Sequence, residues 1–250
     1  MVQFRHLPKF MYEKLQGIVL NTVKYSDRNN IVHIYTDAHG LMAFAVPQGA
    51  TRGARMRNSM LMPLSLVEME ARISPKRELA GLHDLRATVP LVSLHCDPVK
   101  SAIAMFMSEV LTHVIQEQEQ NASLYTYIYN SVTLLEQAGA GVANFHICFL
   151  FHLGSLLGIE PDISTYRKGY WFNMAEGTFA PVANGARHLR PEQASVIMLL
   201  SRMRYDNMHL FKFSREQRNE VLDIILDYFK IHNSTLGTLK SPEVLKQLFV

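Results

Sequence analysis

Cysteine is nearly missing from this chain. Two of its 250 residues are Cys, and Cys96 and Cys148 sit far apart. That gives no disulfide framework and suits a reducing cytoplasm. Long apolar runs are missing as well. The longest is FHICFLFHLGSLLGI, Phe145 to Ile159, with two histidines in it. It falls short of the ~20 residues that span a bilayer and reads as a buried helix. The opening MVQFRHLPKFMYEK has no apolar core followed by a small-residue cleavage site, so no signal peptide is expected. There is no GxSxG elbow, no phosphate-loop lysine and no GxGxxG behind a strand. Carboxylates are scattered; Glu68 and Glu70 share a strand face without a matching acid or base. His146, Cys148 and His152 fall within seven residues, but positions 146 and 152 lie about 600° apart around a helix and point different ways. The four-residue spacing of two zinc histidines is absent, and His95-Cys96 is a lone pair. On these grounds no enzyme, no cofactor and no metal are expected.

What is present is apolar bulk and an uneven charge. Hydrophobic residues make up 48% and charged residues 19%, which marks a globular chain with an ample core. Residues 1–82 hold eleven Lys/Arg against six Asp/Glu, or +5, and residues 83–250 hold fourteen against sixteen, or −2. Positive potential is therefore concentrated in the first third, where an anionic partner would be steered.

That first third reads as strands. Leu15–Tyr25 is rich in Ile, Val and Thr, and Ser26 to Asn30 is a turn signal. Ile31–Thr36 alternates Val32 and Ile34 against His33 and Tyr35. Leu41–Pro47 places Met42, Phe44 and Val46 on one face. Pro63–Glu70 and Leu79–Val89 resume the pattern around the turn Ser74-Pro75-Lys76-Arg77. Five short strands in this space suggest a small closed barrel, because closure removes exposed sheet edges. After Pro90 the period becomes helical: Pro98–Gln118, Ser123–Ala138 and the near-uniformly apolar Val142–Leu157. Residues 158–190 are irregular. Further helices are expected from Pro191, from Ser214 with Gln217 completing a capping box, and from Ser241.

The candidate chemistry is cationic. Arg52, Arg55 and Arg57 lie within six residues in a Gly-rich segment expected to be a flexible loop, and Arg72, Lys76 and Arg77 lie in the next connection but one. Guanidinium groups pair with phosphate in forked geometry. Stacking partners for bases would be Tyr25, Tyr35 or Phe44. Phe44 is in phase with the core, whereas Tyr35 shares the His33 face and would be a platform only if that face is open to water. A second basic cluster, Arg202, Arg204, Lys212, Arg215 and Arg218, is mixed with Tyr205, Phe211 and Phe213. It reads as packed aromatics closing a core, or as a further phosphate contact or partner-docking surface.

The residues also carry a resemblance. Residues 17–50, GIVLNTVKYSDRNNIVHIYTDAHGLMAFAVPQGA, resemble the start of the RecO family of bacterial recombination mediators. LGSLLGIEPDI and the closing LGTLKSPEVLKQL are similar to its later motifs. The resemblance implies an α+β, two-domain chain. A five-stranded oligonucleotide-binding (OB) barrel would occupy residues 11–89 behind an extension at 1–10, and an all-helical domain would occupy 90–250. It implies a DNA repair and recombination mediator of the bacterial cytoplasm and nucleoid, not a membrane protein. Such a mediator binds single- and double-stranded DNA, anneals complementary strands, works with RecR and the single-stranded-DNA-binding protein, and helps load RecA in the RecF pathway. Carried over, the DNA contacts fall on Arg52, Arg55 and Arg57, with Lys24 and Arg28 at the first turn. The alternative is a protein-interaction adaptor without a direct DNA role. Many family members have a four-cysteine zinc site after the Pro-Asp motif. Here that stretch, STYRKGYWFNMAEGTFAPVANG, has no cysteine, so aromatic burial by Tyr166, Tyr170, Trp171, Phe172 and Phe179 is expected to hold it instead.

Overall fold

The computed structural model of the chain describes residues 11–73, 79–116 and 118–248. Strands β1 (Met11–Lys24), β2 (Asn29–Thr36), β3 (Gly40–Pro47), β4 (Leu66–Ile73) and β5 (Leu79–Ala87) close a barrel in the order β1-β2-β3-β5-β4. All pairs are antiparallel except β3 with β5, which is parallel. This is the strand arrangement of an OB fold. The inner residues come from period-two alternation: Leu15, Val19, Val32, Ile34, Phe44, Val46, Val67, Met69, Ala71 and Ala80 form one buried cluster.

The fourth strand starts later than its sequence suggests. Pro63 to Ser65 turn instead, with Leu64 at φ 61° donating its N–H to Val19 O and Ser65 N donating to Met62 O. The Arg52 segment is not a flexible loop. Helix α1 (Arg52–Ser59) forms because the Thr51 hydroxyl caps Ala54 N at 3.2 Å and buried Ala54 anchors it.

The helices that follow are α2 (Val92–Cys96), α3 (Pro98–Val114), α4 (Ala122–Gln137), α5 (Phe145–Leu156), α6 (Pro191–Leu200), α7 (Arg215–His232) and α8 (Ser241–Leu248). Proline opens α6 at its first turn, and the Ser214–Gln217 capping box opens α7. The chain divides into two compact units. One comprises the residues through His95 with Ile115–Val132; the other comprises Cys96–Val114 with Thr133–Val250.

In the second unit α5 is buried nearly all round. Its Cys148 thiol is pushed up to about 12 by burial, so it stays protonated. The stretch after α5 builds a small sheet, β7-β6-β8, from Trp171–Asn173, Thr178–Ala180 and His188–Leu189. Phe172 and Phe179 are its buried pair, with ring centroids 4.8 Å apart. Tyr166 meets Phe179 edge-on, and Tyr228 of α7 closes over Phe172. Tyr166, Tyr170 and Trp171 are only half-buried, so two phenylalanines and not five aromatics form the sheet's own core.

Candidate nucleic-acid interface

The inward alternation of the barrel strands leaves an outer face in which small residues lie between an isoleucine and a histidine. Opposite the core residues Val32, Phe44 and Ala80 lie Ile31, His33, Ala43, Ala45 and Gly81. Register joins them across strands: Ile31 pairs with Ala45, Ala45 with Gly81, and Gly81 with Arg72 of β4. At about 4.8 Å per strand, this row runs about 14 Å. Gly81 matters because it lies under its neighbours. A Cβ there would stand 3.3 Å from Arg72 Cβ, 3.5 Å from Arg72 Nε and 3.3 Å from His83 Nε2. The Arg72 side chain therefore lies along β5, beside the row. His33 bonds Asn21 Oδ1 at 2.5 Å, and burial lowers its pKa, so the floor carries a neutral imidazole.

One end of this face is lined with cations. In the β1–β2 turn the Ser26 hydroxyl accepts from Arg28 N and Asn29 N at 3.3 and 3.1 Å. Gln48, just past β3, stitches that turn to the next segment. Its N–H donates to Arg28 O at 2.8 Å, and its side-chain amide donates to Ser26 O at 3.1 Å and Asn30 Oδ1 at 2.6 Å. Four residues on, the chain enters α1, whose first turn has no acid. Lys24 and Arg28 are thus tied to the entrance of the helix that presents Arg52 and Arg55, all four exposed. Lys24 lies 3.6 Å from Asp27, but that pair is so exposed that water competes with it. Arg57 is different. Its Nη2 donates to Pro47 O at 2.6 Å and it is half-buried, so it braces α1 against the end of β3. Lys76 and Arg77 lie outside the described residues.

The other end is closed. Tyr35 is 1% exposed and cannot stack on a base, so the condition for an open platform fails. The alternation was right, but at Tyr35 that face is covered. Tyr125, 6.1 Å away ring to ring, covers it, Asn121 O accepts from its hydroxyl at 3.4 Å, and Gln120 Nε2 donates to Asp37 O. Burial, helped by Asp37 and Tyr129, raises the Tyr125 pKa. Of the three candidate stacking residues the exposed one is Tyr25, at 68%, in the turn between Lys24 and Arg28. Its turn position was the sequence signal for exposure.

Two family models match the chain. Recombination protein O N terminal covers residues 11–90, and Recombination protein O C terminal covers residues 95–241. The chain belongs to the recombination protein O family. A protein of Phocaeicola vulgatus named DNA repair protein RecO is 39% identical over 241 residues, spanning 96% of this chain and all of its own length. Relatives of the same name from Bacteroides fragilis, at 36% over the same spans, and Porphyromonas gingivalis, at 33% over 94% of this chain and 98% of the relative, also match. Membership of the RecO family supports a role in DNA repair and recombination, and the family is not a known enzyme class. No described helix is long and apolar enough to cross a membrane.

The second unit carries the other cationic residues. Arg204 is exposed but fixed: its Nη1 donates to Ser201 O at 2.9 Å and Met203 O at 3.1 Å. Arg215 Nε donates to Lys246 O at 3.0 Å, and Arg218 donates to Asn144 Oδ1 and Phe213 O. Arg202 and Lys212 are exposed. Arg218, with part of Arg215, therefore serves the packing of its own unit. Among the described residues no group of three or more His, Cys, Asp or Glu could hold a metal ion.

Proposed function

We propose that this chain is a non-enzymatic DNA repair and recombination mediator of the bacterial cytoplasm. Its barrel holds the phosphate backbone of single- and double-stranded DNA. Neutralised on this face, two complementary strands repel each other less and anneal. With RecR and the single-stranded-DNA-binding protein, the chain helps load RecA onto coated strands in the RecF pathway. The observation that supports this reading is the row Ile31–Ala45–Gly81–Arg72, low at its centre where Ala45 meets Gly81 and joined at the β1–β2 turn to Lys24, Arg28, Arg52 and Arg55. The low centre at Ala45 and Gly81 lets a strand lie close, the cations take its phosphates, and Tyr25 stands where an unstacked base would meet a ring.

Salt dependence tests it. Each phosphate contact on single strands contributes about −0.7 to the slope of log K against log salt. Replacing Arg52 and Arg55 together by Ala should make the slope shallower by about 1.4 while circular dichroism is unchanged. Arg57→Ala, which loses the brace to Pro47, should lower stability and leave most of the slope. An unchanged slope in the Arg52/Arg55 double variant would place the DNA path elsewhere.

A further inference from the structure

The second unit contains a cleft of about 720 Å³ between the end of α4 and the Arg204–His209 segment. That volume lies in the range of small-molecule sites, ~300–1,000 Å³. We propose that it is a second strand-contact site, which receives a single unpaired base of a nucleic-acid strand. The proposal extends the nucleic-acid reading of the barrel but stands on its own residues.

The segments that wall the cleft are pinned to one another. Gly141, at φ 77°, packs against the backbone of His209, where even a Cβ would stand 2.6 Å from His209 Cα. The Asn144 amide donates to Met208 O at 3.0 Å and Phe211 O at 2.8 Å, and Arg218 holds the Asn144 carbonyl oxygen at 3.2 Å. Asn207 ties the turn together: its Oδ1 accepts from Arg204 N at 2.7 Å and its Nδ2 donates to Arg202 O at 3.0 Å. The walls are therefore organised before any ligand arrives.

The lining selects the ligand class. Tyr205 lies nearly parallel to Phe145, centroids 4.6 Å apart and planes 26° apart, which makes a stiff aromatic platform. Arg204 and His209 offer donors, Asp206 offers acceptors, and Gln137 offers both. A base edge also presents donors and acceptors together, and every base has a face for stacking. Between positions 202 and 212 three Lys/Arg face one Asp, and exposed Arg202 and Lys212 bracket the segment for the flanking phosphates. A neutral apolar ligand would leave this charge unused, and an acid-free lining would suit a simple anion better than a base. The combination of ring, mixed edge partners and net positive charge fits a nucleotide within a strand.

The test is photo-crosslinking of the full chain to a short single strand containing 5-iododeoxyuridine, with adducts mapped by mass spectrometry. It is run on the parent, on the Arg52/Arg55 double Ala variant, and on Leu134→Glu. Leu134 is 40% exposed at the cleft wall, so a carboxylate there repels the strand without emptying a core. The expected result is an adduct on Tyr205 that persists in the barrel variant and falls about tenfold in Leu134→Glu. Adducts on the barrel alone would overturn the proposal and leave the barrel reading standing. Adducts on Tyr205 alone would do the reverse. A Tyr205 adduct indifferent to Leu134→Glu would mean surface collision and would also overturn it.

Discussion

Acidification should destabilise this protein through His146. The side chain is 1% exposed and meets Phe106 edge-on with ring centroids 5.9 Å apart. Burial, with a smaller push from Arg218, lowers its pKa from 6.5 to about 3. On unfolding it returns to 6.5. Between those values the unfolded chain binds a proton that the folded chain refuses, so stability falls as pH falls through that window. At pH 5 the unfolded imidazole is 1.5 units below its pKa, and at ~1.4 kcal/mol per unit the loss is about 2 kcal/mol relative to neutral pH. His33 and His152 are also held low by burial and act with the same sign. The parent alone would therefore not isolate the effect; His146→Phe does, because it keeps a ring in the same space and cannot titrate. Urea unfolding of both proteins at pH 7.5 and pH 5 gives four stabilities. The loss on acidification should be about 2 kcal/mol smaller in His146→Phe, with equal m values, and any offset common to both pH values cancels. Equal losses in the two proteins would show that His146 is protonated in the fold and would refute the reasoning.

Gly154→Ala should raise stability by ~0.5–1 kcal/mol in thermal unfolding, because the glycine is inside α5 and the added methyl would meet Ile159 and Phe229 at an ordinary 3.5 Å. Gly17→Ala should do the opposite by about 1–3 kcal/mol, since its Cβ would stand 2.4 Å from Ile34 Cγ2 and 2.8 Å from Met69 Cε inside the barrel. Glu109→Ala should loosen α8 by about 1–2 kcal/mol: the carboxylate accepts the Lys240 and Ser241 N–H groups at 2.9 Å and the Ser241 hydroxyl. Hydrogen exchange along residues 240–248 should quicken while the core of α5 keeps its protection.

The local devices were legible because each is carried by neighbours in the chain. Alternation marked the inward face of β2 and β3, Ser214 and Gln217 announced the start of α7, Pro191 the start of α6, and the uniform apolarity of Phe145 to Leu156 its burial. The cationic bias of the first third and the resemblance at residues 17–50 pointed to the family that the comparisons then showed.

The face available to a ligand was decided only by tertiary structure. Period two separates the inside of a strand from its outside, but it does not say what lies over the outside. Tyr35 and Ala45 both lie on the outer face; one is sealed by Tyr125, ninety residues further along the chain, and the other is left in a floor completed by Gly81. Arg57 and Arg55 are two residues apart on one helix, yet one braces Pro47 and the other faces solvent. Glycines 49 and 53 suggested a loop, and a threonine hydroxyl with one buried alanine made a helix. Residue types fix which contacts are affordable; chain closure in three dimensions fixes which side chains are already engaged, and only the remainder can touch a partner.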